Sequence, residues 1–254
     1  MYTLNNDFAT RFRYEVAVVG CGGTGGFVAE GLCRILPSNV PLLLIDPDRV
    51  EERNLLRQNF FREDLGNLKS EALAKRLSRK YGRPVAYSTM PVSFTPLGYS
   101  ALVLGCVDNG LARRDIARKF ANVSSPPPAW WIDAGNGENF GQVLIGNSNG
   151  PVQSPCRKDE KGERVYYMPL PTQQRPELLR QQPPVRSCAE VAEQGPTINQ
   201  SMAVLVVEVT CRLIAGTCPW IQLYLDMNMG ILQPVFATPD VLEDMAKHKI
   251  PKGG

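Results

Sequence analysis

The strongest constraint on the fold is a β-branched apolar run that changes abruptly into a glycine-rich turn and then a helical pattern. "YEVAVVG" leads directly into "GCGGTGGFVAEGLCRIL", where Gly20, Gly22 and Gly25 stand in G-x-G-x-x-G register. After a strand, such glycines permit a tight turn, let a ligand approach the backbone and allow close packing of the following helix. The stretch therefore predicts strand, turn and helix, with the helix N-terminus available to a nucleotide phosphate.

Strand and helix patterns then alternate for about 120 residues. "VPLLLIDPD", "RPVAYSTMPV" and "ALVLGCVDN" read as strands, while "LKSEALAKRLSRKYG" and "GLARRDIARKFAN" read as helices. Continuous apolar strands are typical of a parallel sheet that is buried on both faces. This order predicts an α/β fold, a Rossmann-like, doubly wound and mostly parallel sheet.

The pattern changes after "SSPPPA", where "WWIDAG" and "GQVLIG" predict two short strands joined by a glycine-rich turn. From Asn147 to Arg186 proline, glycine and glutamine dominate without a clear period, so we expect a long mobile loop over 147–186. A helix is predicted from about Asn199 to Ala215, followed by the strands "WIQLYLD" and "ILQPVFA". These last strands predict a C-terminal antiparallel extension of the sheet.

Composition excludes several classes of function. The single histidine, His248, makes a histidine-based proton relay improbable. A net charge of +3 does not mark a nucleic-acid binder or a protein of anionic membranes. The longest apolar run, "MAVLVVEV", is far shorter than the ~18 residues of a membrane span. With no signal peptide evident, we expect a cytoplasmic protein whose 7 cysteines are mostly thiols, catalysts or metal ligands.

Two acidic residues follow predicted strands at the edge where α/β sheets bind ligands. Asp46 lies 26 residues after Gly20, where an acid commonly accepts the hydroxyls of a ribose. The alternative is a carboxylate that only caps the next turn. Asp108 follows the fourth strand and could hold a magnesium ion that bridges phosphates, or could cap the helix that begins at Gly110.

The stretch "RNLLRQNF" separates two kinds of nucleotide site. A dinucleotide oxidoreductase has no evident use for Asn54, Arg57 and Gln58 soon after the ribose acid, with Lys69 beyond them. A triphosphate does, because an arginine can fork two phosphate oxygens and a lysine at the start of a helix adds a point charge. The alternative is solvated surface charge. The cluster favours ATP over a nicotinamide cofactor.

Three motifs together resemble a known family. "VVGCGGTGG", "LIDPDRVEERNLLRQNFFREDLGNLKSEAL" and "VLGCVDNGLARR" are similar to the adenylyltransferase family of ThiF, MoeB and the ubiquitin-activating enzymes, and the resemblance runs from about Val16 to Asp226. "WWIDAGNGENFGQVLIG" and "SCAEVAEQGPTINQSMA" most resemble the ThiF-family protein of bacterial PRTRC gene systems.

The resemblance implies ATP, Mg²⁺ and a small ubiquitin-like (β-grasp) or sulfur-carrier protein, whose C-terminal glycine is converted to an acyl-adenylate. It implies one adenylation domain over 1–254, with a nucleotide-binding half at 1–125, a carrier-protein-binding half at 126–254 and the loop at 147–186, and a homodimer. A carboxylate is already ionised at pH 7, so alignment and electrostatic stabilisation can replace a general base. The implied site residues are Gly20, Gly22, Gly23 and Gly25 in the nucleotide loop, Asp46 at the ribose, Asn54, Arg57 and Lys69 at the phosphates, and Asp108 at the magnesium ion with Asn109 beside it.

The cysteines depart from part of the family pattern. Many relatives carry two C-x-x-C pairs that bind structural zinc, and this chain carries none, which leaves zinc only as an irregular site. Cys188 stands in a position that resembles the thioester cysteine of some activating enzymes, so its thiolate could take the acyl group. The alternative is a loop cysteine without chemistry. Cys21 suits the glycine turn by its small size, and Cys106 is expected in the core.

Two other functions remain open on the sequence. The first is a nucleotide-binding oxidoreductase that uses a nicotinamide dinucleotide. The second is a non-catalytic subunit that keeps the fold and pairs with an active partner. The combination of Arg57, Lys69 and Asp108 argues against a scaffold, since a scaffold has no need of all three.

Overall fold

The computed structural model describes residues 15–97, 102–121, 130–147, 156–158, 164–180, 195 and 197–247. Within these ranges eight strands form one sheet, and two short strands form a separate ribbon. The strands of the sheet are β1 (Val16–Val19), β2 (Leu42–Ile45), β3 (Val85–Ser88), β4 (Leu102–Gly105), β5 (Trp130–Asn136), β6 (Phe140–Gly146), β9 (Trp220–Asp226) and β10 (Ile231–Phe236). The ribbon consists of β7 (Cys156–Lys158) and β8 (Arg164–Tyr166).

The strand order across the sheet is β10-β9-β6-β5-β4-β1-β2-β3. The pairs from β5 through β4 and β1 to β2 and β3 are parallel, and the pairs among β5, β6, β9 and β10 are antiparallel. The prediction of an α/β fold with a mostly parallel core and a C-terminal antiparallel extension is confirmed.

Helices alternate with many of the strands along the chain. They are α1 (Gly23–Ile35), α2 (Lys69–Tyr81), α3 (Gly110–Ala121), α4 (Pro171–Gln174), α5 (Ile198–Ile214) and α6 (Pro239–Lys247), with 3-10 turns at Glu52–Asn54, Arg62–Asp64 and Pro176–Leu179. None of the helices in the described ranges combines the length and the apolar character that crossing a membrane requires.

Burial explains why the central strands are apolar throughout. Every residue of β1, β2 and β4 is buried, because one apolar cluster packs on each face of the sheet. On one face α1 and α5 pack together so closely that a Cβ added at Gly31 would lie 2.6 Å from the side chain of Val207. Each buried leucine or isoleucine contributes roughly 1.5–3 kcal/mol, so these clusters hold the strand ends in fixed positions.

The described part of the predicted loop over 147–186 contains regular structure. It carries the β7–β8 ribbon, α4 and the 3-10 turn at Pro176–Leu179. Pro171 and Pro176 stand at the first positions of these short elements, where the fixed φ of proline suits a helix start. Gln174 Nε2 donates to the carbonyl oxygens of Ile145 and Pro169 and ties the segment to the sheet. Helix α6 was not predicted from the sequence.

Candidate functional site

The carboxyl ends of three neighbouring strands meet at one edge of the sheet. The pairing of β1 with β2 and β4 continues one residue past the strands, since Gly20 N donates to Ile45 O and Cys106 N donates to Val19 O, both at 2.8 Å. The glycine turn, Asp46 and the residues that lead to Asp108 therefore share this edge. This is the place where ligands bind open α/β sheets.

Two glycines of the turn are required by the chain itself. Gly20 has φ +88°, and a Cβ added there would lie 2.5 Å from Cys106 O. A Cβ added at Gly25 would lie only 1.8 Å from Gly20 O. These contacts keep the turn tight and bring the start of α1 against β1 and β4.

Gly22 differs, because an added Cβ there would clash with no neighbouring atom of the described residues. It has φ −76° and immediately precedes α1, without a side-chain cap. The nearest neighbouring atom to a Cβ added at Gly22 is in the carboxamide of Gln58, at 3.7 Å. The first amide groups of a helix have no partner within the helix and attract anions. A phosphate group could approach the backbone here.

Asp46 joins the glycine turn to the end of β2. Asp46 is 6% exposed, and its carboxylate accepts hydrogen bonds from Cys21 N at 2.6 Å and Asp48 N at 2.8 Å. Burial raises the pKa of Asp46, while these two amides and the charge of Lys69 oppose the rise. A carboxylate has about four acceptor positions, so it can still accept ribose hydroxyls. The geometry is compatible with both the ribose role and the capping alternative.

Lys69 begins α2 beside this carboxylate. Its side chain is 10% exposed, and Nζ lies 3.2 Å from Oδ2 of Asp48, whose side chain is 67% exposed. A nearly buried ammonium held by one exposed carboxylate can exchange that partner for a phosphate oxygen, because the three donors of lysine are not bound to a fixed geometry.

Asn54 has a structural role that the sequence did not reveal. It is 5% exposed, and its Oδ1 accepts a hydrogen bond from Glu51 N at 2.9 Å, which closes the 3-10 turn. Its carbonyl oxygen accepts from Arg57 N at 3.2 Å and Gln58 N at 2.8 Å. The irregular stretch "RNLLRQNF" is thus organised around Asn54, and the side-chain oxygen of Asn54 already has a donor.

Arg57 and Gln58 come soon after this turn in the sequence, and Gln58 lies next to the glycine turn. Arg57 is partly buried, and its carbonyl oxygen accepts a hydrogen bond from Asn199 Nδ2 at 3.2 Å. The carboxamide of Gln58 faces Gly22, and its Oε1 is buried without a hydrogen-bond partner among the described residues. A buried acceptor without a partner is uncommon in a folded protein. Gln58 therefore belongs to the candidate site by position.

Asn109, not Asp108, caps the following helix. Asn109 Oδ1 accepts from Ala112 N at 2.8 Å, and Asn109 Nδ2 donates to Asp108 Oδ1 at 3.3 Å. Asp108 remains an exposed carboxylate just past β4. One exposed carboxylate fits Mg²⁺, which usually keeps several waters and substrate phosphates as ligands. Across the described ranges no group of three or more histidine, cysteine, aspartate or glutamate side chains is arranged to hold a metal.

Three polar residues at the site were missed from the sequence. Thr24, Asn136 and Asn199 form hydrogen bonds to one another next to the glycine turn. Asn136 ends β5, and Asp108 follows the neighbouring strand β4 at the same edge of the sheet. The rule that ligands bind at the carboxyl ends of parallel strands predicts Asp108 and applies equally to Asn136. Asn199 gave no signal, because its partners lie far away in the sequence.

A buried ion pair supports the edge of the sheet below the site. Arg113 Nε donates to both carboxylate oxygens of Asp133, at 3.2 and 2.9 Å, and Asp133 is 0% exposed. Burial raises the pKa of Asp133, and the charge of Arg113 opposes that rise. A Cβ added at Gly105 would lie 2.9 Å from Asp133 Oδ1, so the carboxylate of the pair packs directly against the main chain of β4.

Cys188 lies outside the described residues. The residues that flank its segment lie at the same edge as the site: Leu179 O and Arg180 O lie against Gly110, and Gly195 N donates to Glu138 O at 2.8 Å. Burial is the main cause that raises the pKa of both Cys21 and Cys106. Neither thiol is therefore suited to act as a thiolate nucleophile at neutral pH.

Comparison with known proteins gives a family match and a set of similar folds. The family model described as the ThiF family matches residues 7–229. No curated protein matches the chain in sequence. The crystal structure of PaaA is 19% identical with a TM-score of 0.64, and the alignment covers 91% of this chain and 76% of PaaA.

Structures of MccB from E. coli are also similar. MccB with ATP is 16% identical over 91% of this chain and 65% of MccB, with a TM-score of 0.60. The microcin C7 biosynthetic enzyme MccB in complex with N-formylated MccA is 17% identical over 91% of this chain and 66% of MccB, with a TM-score of 0.60. The chain thus spans slightly less than two thirds of the length of MccB. At these identities the likeness establishes the fold alone.

Proposed function

The chain belongs to the ThiF family, and from this premise we propose that it is an ATP-dependent adenylyltransferase. Its substrate is the C-terminal glycine of a small ubiquitin-like or sulfur-carrier protein. One observation supports the proposal most: the open backbone at Gly22, Asp46, Lys69 and Asp108 share the edge formed by β1, β2 and β4. That grouping matches the ribose, phosphates and magnesium of ATP better than it matches a nicotinamide, for which no reacting group is evident among the residues that the structure describes.

The reaction needs alignment and charge stabilisation more than acid–base chemistry. An oxygen of the carrier's carboxylate bonds to the α-phosphorus of ATP, the bond from that phosphorus to the bridging oxygen breaks, and pyrophosphate leaves. In this proposal Asp46 accepts the ribose hydroxyls while Arg57 and Lys69 hold the phosphates and stabilise the charge that develops on them. Asp108 would hold Mg²⁺, which neutralises phosphate charge when bound.

Exposed apolar side chains support the assignment of carrier binding to the half over 126–254. Phe140, Asp226 and Ile231 form one row across β6, β9 and β10, and Phe140 is 61% and Ile231 46% exposed. Met229, in the turn between β9 and β10, is 69% exposed. The row lies at the carboxyl end of β5, the same edge as the candidate ATP site. Exposed apolar patches commonly mark protein contacts.

Carrier-dependent exchange of pyrophosphate into ATP tests the activity. β-Grasp proteins ending in glycine serve as acceptors, and Arg57→Ala is compared with Arg53→Ala, which removes the same charge from the same stretch. We expect a loss of about 100-fold or more for Arg57→Ala, because it removes a phosphate-binding group. Arg53→Ala should stay within about twofold, because the Arg53 side chain is 75% exposed in a surface ion pair.

Three outcomes would contradict the proposal. No exchange with every plausible acceptor, together with no ATP binding, refutes adenylation. A thermal shift with a nicotinamide dinucleotide, and little or none with ATP, indicates an oxidoreductase. Full function of a partner enzyme in the presence of Arg57→Ala indicates a non-catalytic subunit.

We also propose that the acyl group passes from the adenylate to Cys188. The thiolate sulfur bonds to the acyl carbon and AMP leaves, which gives a thioester that a reducing agent or hydroxylamine cleaves. The carrier should appear as a reducible adduct on a non-reducing gel with the wild type and with Cys211→Ala, a control cysteine that is partly buried on α5. The adduct should be absent with Cys188→Ala. Its persistence there would exclude Cys188 as the acceptor.

The resemblance to the family also leads us to propose a homodimer. Sedimentation equilibrium should give twice the chain mass of 28.1 kDa. A mass that stays at 28.1 kDa over micromolar concentrations would contradict this.

A further inference from the structure

Asn199 lies at the start of α5, in the C-terminal half, but it binds the main chain of the candidate phosphate site. Its Nδ2 donates to the carbonyl oxygen of Arg57 at 3.2 Å, across a sequence separation of 142 residues. Asn199 is 1% exposed. A buried carboxamide that reaches a main-chain carbonyl of another segment holds the two segments in register.

The rest of the Asn199 carboxamide is also used. Its Oδ1 accepts from Thr24 Oγ1 at 3.4 Å and from Asn136 Nδ2 at 3.2 Å. Thr24 Oγ1 lies 3.1 Å from Asn136 Oδ1. We call Thr24, Asn136 and Asn199 the amide cluster; it links α1, the end of β5 and the start of α5.

Gly23 provides the space for the amide cluster. A Cβ added at Gly23 would lie 2.4 Å from Asn199 Nδ2. Real Cβ atoms do not approach neighbours so closely, so a side chain at this position would displace Asn199. Packing against Asn199 therefore accounts for the absence of a side chain at Gly23.

The main chain at Arg57 is held from two sides. Its N–H donates to Asn54 O at 3.2 Å, within the same stretch, and its carbonyl oxygen accepts from Asn199. The bond to Asn54 is local, whereas the bond from Asn199 ties Arg57 itself to the start of α5, in addition to the bonds that Asn59 Nδ2 donates to Gly26 O and Glu30 Oε2 of α1. The position of the main chain from which the Arg57 side chain extends therefore depends in part on Asn199.

We propose that Asn199 is a positioning residue that sets the place of Arg57 at the phosphate site and so couples the C-terminal half to ATP binding. This rests on the proposed function, because Arg57 must bind phosphate for the coupling to matter. Misplacing a binding group by about 1 Å can reduce activity by about 100-fold. The residue does not touch the nucleotide itself.

Hydrogen exchange on the protein without nucleotide tests the positioning directly. Asn199→Asp keeps the shape of the side chain but replaces the donor with a carboxylate oxygen that faces the Arg57 carbonyl. We expect the amides of residues 55–60 to exchange about tenfold faster, while those of β1 and β4 stay unchanged. Thr210→Val is the matched control, since it removes a different buried side-chain hydrogen bond, to Val206 O, from the same helix. Thr24→Val is the second variant if Asn199→Asp does not fold, and it should accelerate the same amides.

A double-mutant cycle on ATP affinity tests the route through Arg57. Asn199→Asp should weaken ATP binding by about tenfold in the wild-type background and by less than about twofold in the Arg57→Ala background. An equal loss in both backgrounds, or unchanged exchange at residues 55–60, overturns the proposal. If the wild type binds no ATP, the proposed function fails, and the exchange experiment alone decides whether Asn199 positions Arg57.

Discussion

Replacing Gly22 by alanine should abolish ATP binding while the fold remains intact. Gly22 has φ −76° and ψ −138°, and the nearest neighbouring atom to the added methyl group lies 3.7 Å away. The methyl group would therefore occupy the space where a phosphate is proposed to approach the start of α1.

The expected effect on stability is small. Alanine is a poorer residue than glycine immediately before a helix, which costs up to about 1 kcal/mol. Alanine also lowers the entropy of the unfolded chain relative to glycine, which stabilises by about 0.4–1 kcal/mol. The two effects nearly cancel, so the midpoint of thermal unfolding should shift by less than about 4 °C. Gly25→Ala is the contrast, because its methyl group would lie 1.8 Å from Gly20 O and should destabilise by about 2 kcal/mol or more.

The expected effect on ATP binding is large. A methyl group in front of the first amides of α1 would prevent hydrogen bonds to phosphate, and each charge-assisted bond contributes about 1.5–3 kcal/mol. Loss of two such bonds weakens binding by more than about 100-fold. Isothermal titration calorimetry with ATP, together with thermal melts, measures both quantities. A variant that melts like the wild type and binds ATP equally well would show that no ligand approaches Gly22.

Three further changes should have distinct outcomes. Lys69→Met should weaken ATP binding by about tenfold in the same titration, whereas the control Lys75→Met, an exposed residue of α2, should not. Hydrogen bonds from four side chains outweigh the effect of burial and lower the pKa of Glu30 to about 2 from an ordinary 4.5. The ionised Glu30 carboxylate therefore stabilises the folded protein fully above pH 4.5, and this stabilisation is lost as the pH falls towards 2. The urea midpoint of Glu30→Gln should fall less over that pH range than the urea midpoint of the wild type. Asp133→Asn should lower the free energy of unfolding by about 3–5 kcal/mol, because it leaves the charge of Arg113 buried and unpaired, and an unchanged urea midpoint would contradict this.

The strands and the edge of the sheet could be predicted because local patterns determine them. Continuous apolar runs gave β1, β2 and β4, since a strand buried on both faces has no polar position. The acids after β2 and β4 had to meet at one edge, because parallel strands place their carboxyl ends at the same edge of the sheet. The ordered part of 164–180 could not be predicted, because Gln174 is held by the carbonyl oxygen of Ile145 in β6, 29 residues earlier in the chain.

The roles of individual polar residues were harder to predict than the place where they meet. The sequence predicts Asn54 as a ligand for ATP, whereas in the structure its side-chain oxygen closes its own turn. A capping bond over three residues is within reach of sequence reasoning, because an asparagine three residues after an extended residue is a common turn arrangement. Asn199 was beyond it, because a contact across 142 residues leaves no local pattern.

The glycine turn shows why a motif predicts a structure more reliably than it predicts contacts. A Cβ at Gly20 or Gly25 would strike the backbone of the chain itself, and one at Gly23 would strike Asn199. Of the four glycines Gly22 alone would place an added Cβ in no clash with the described residues, because its nearest neighbour, in the carboxamide of Gln58, lies 3.7 Å away. Because no clash with the described part of the protein excludes a side chain at Gly22, we expect a bound phosphate to be the reason for the glycine there. The phosphate contact should therefore be sought at Gly22, and its position relative to Arg57 should follow Asn199.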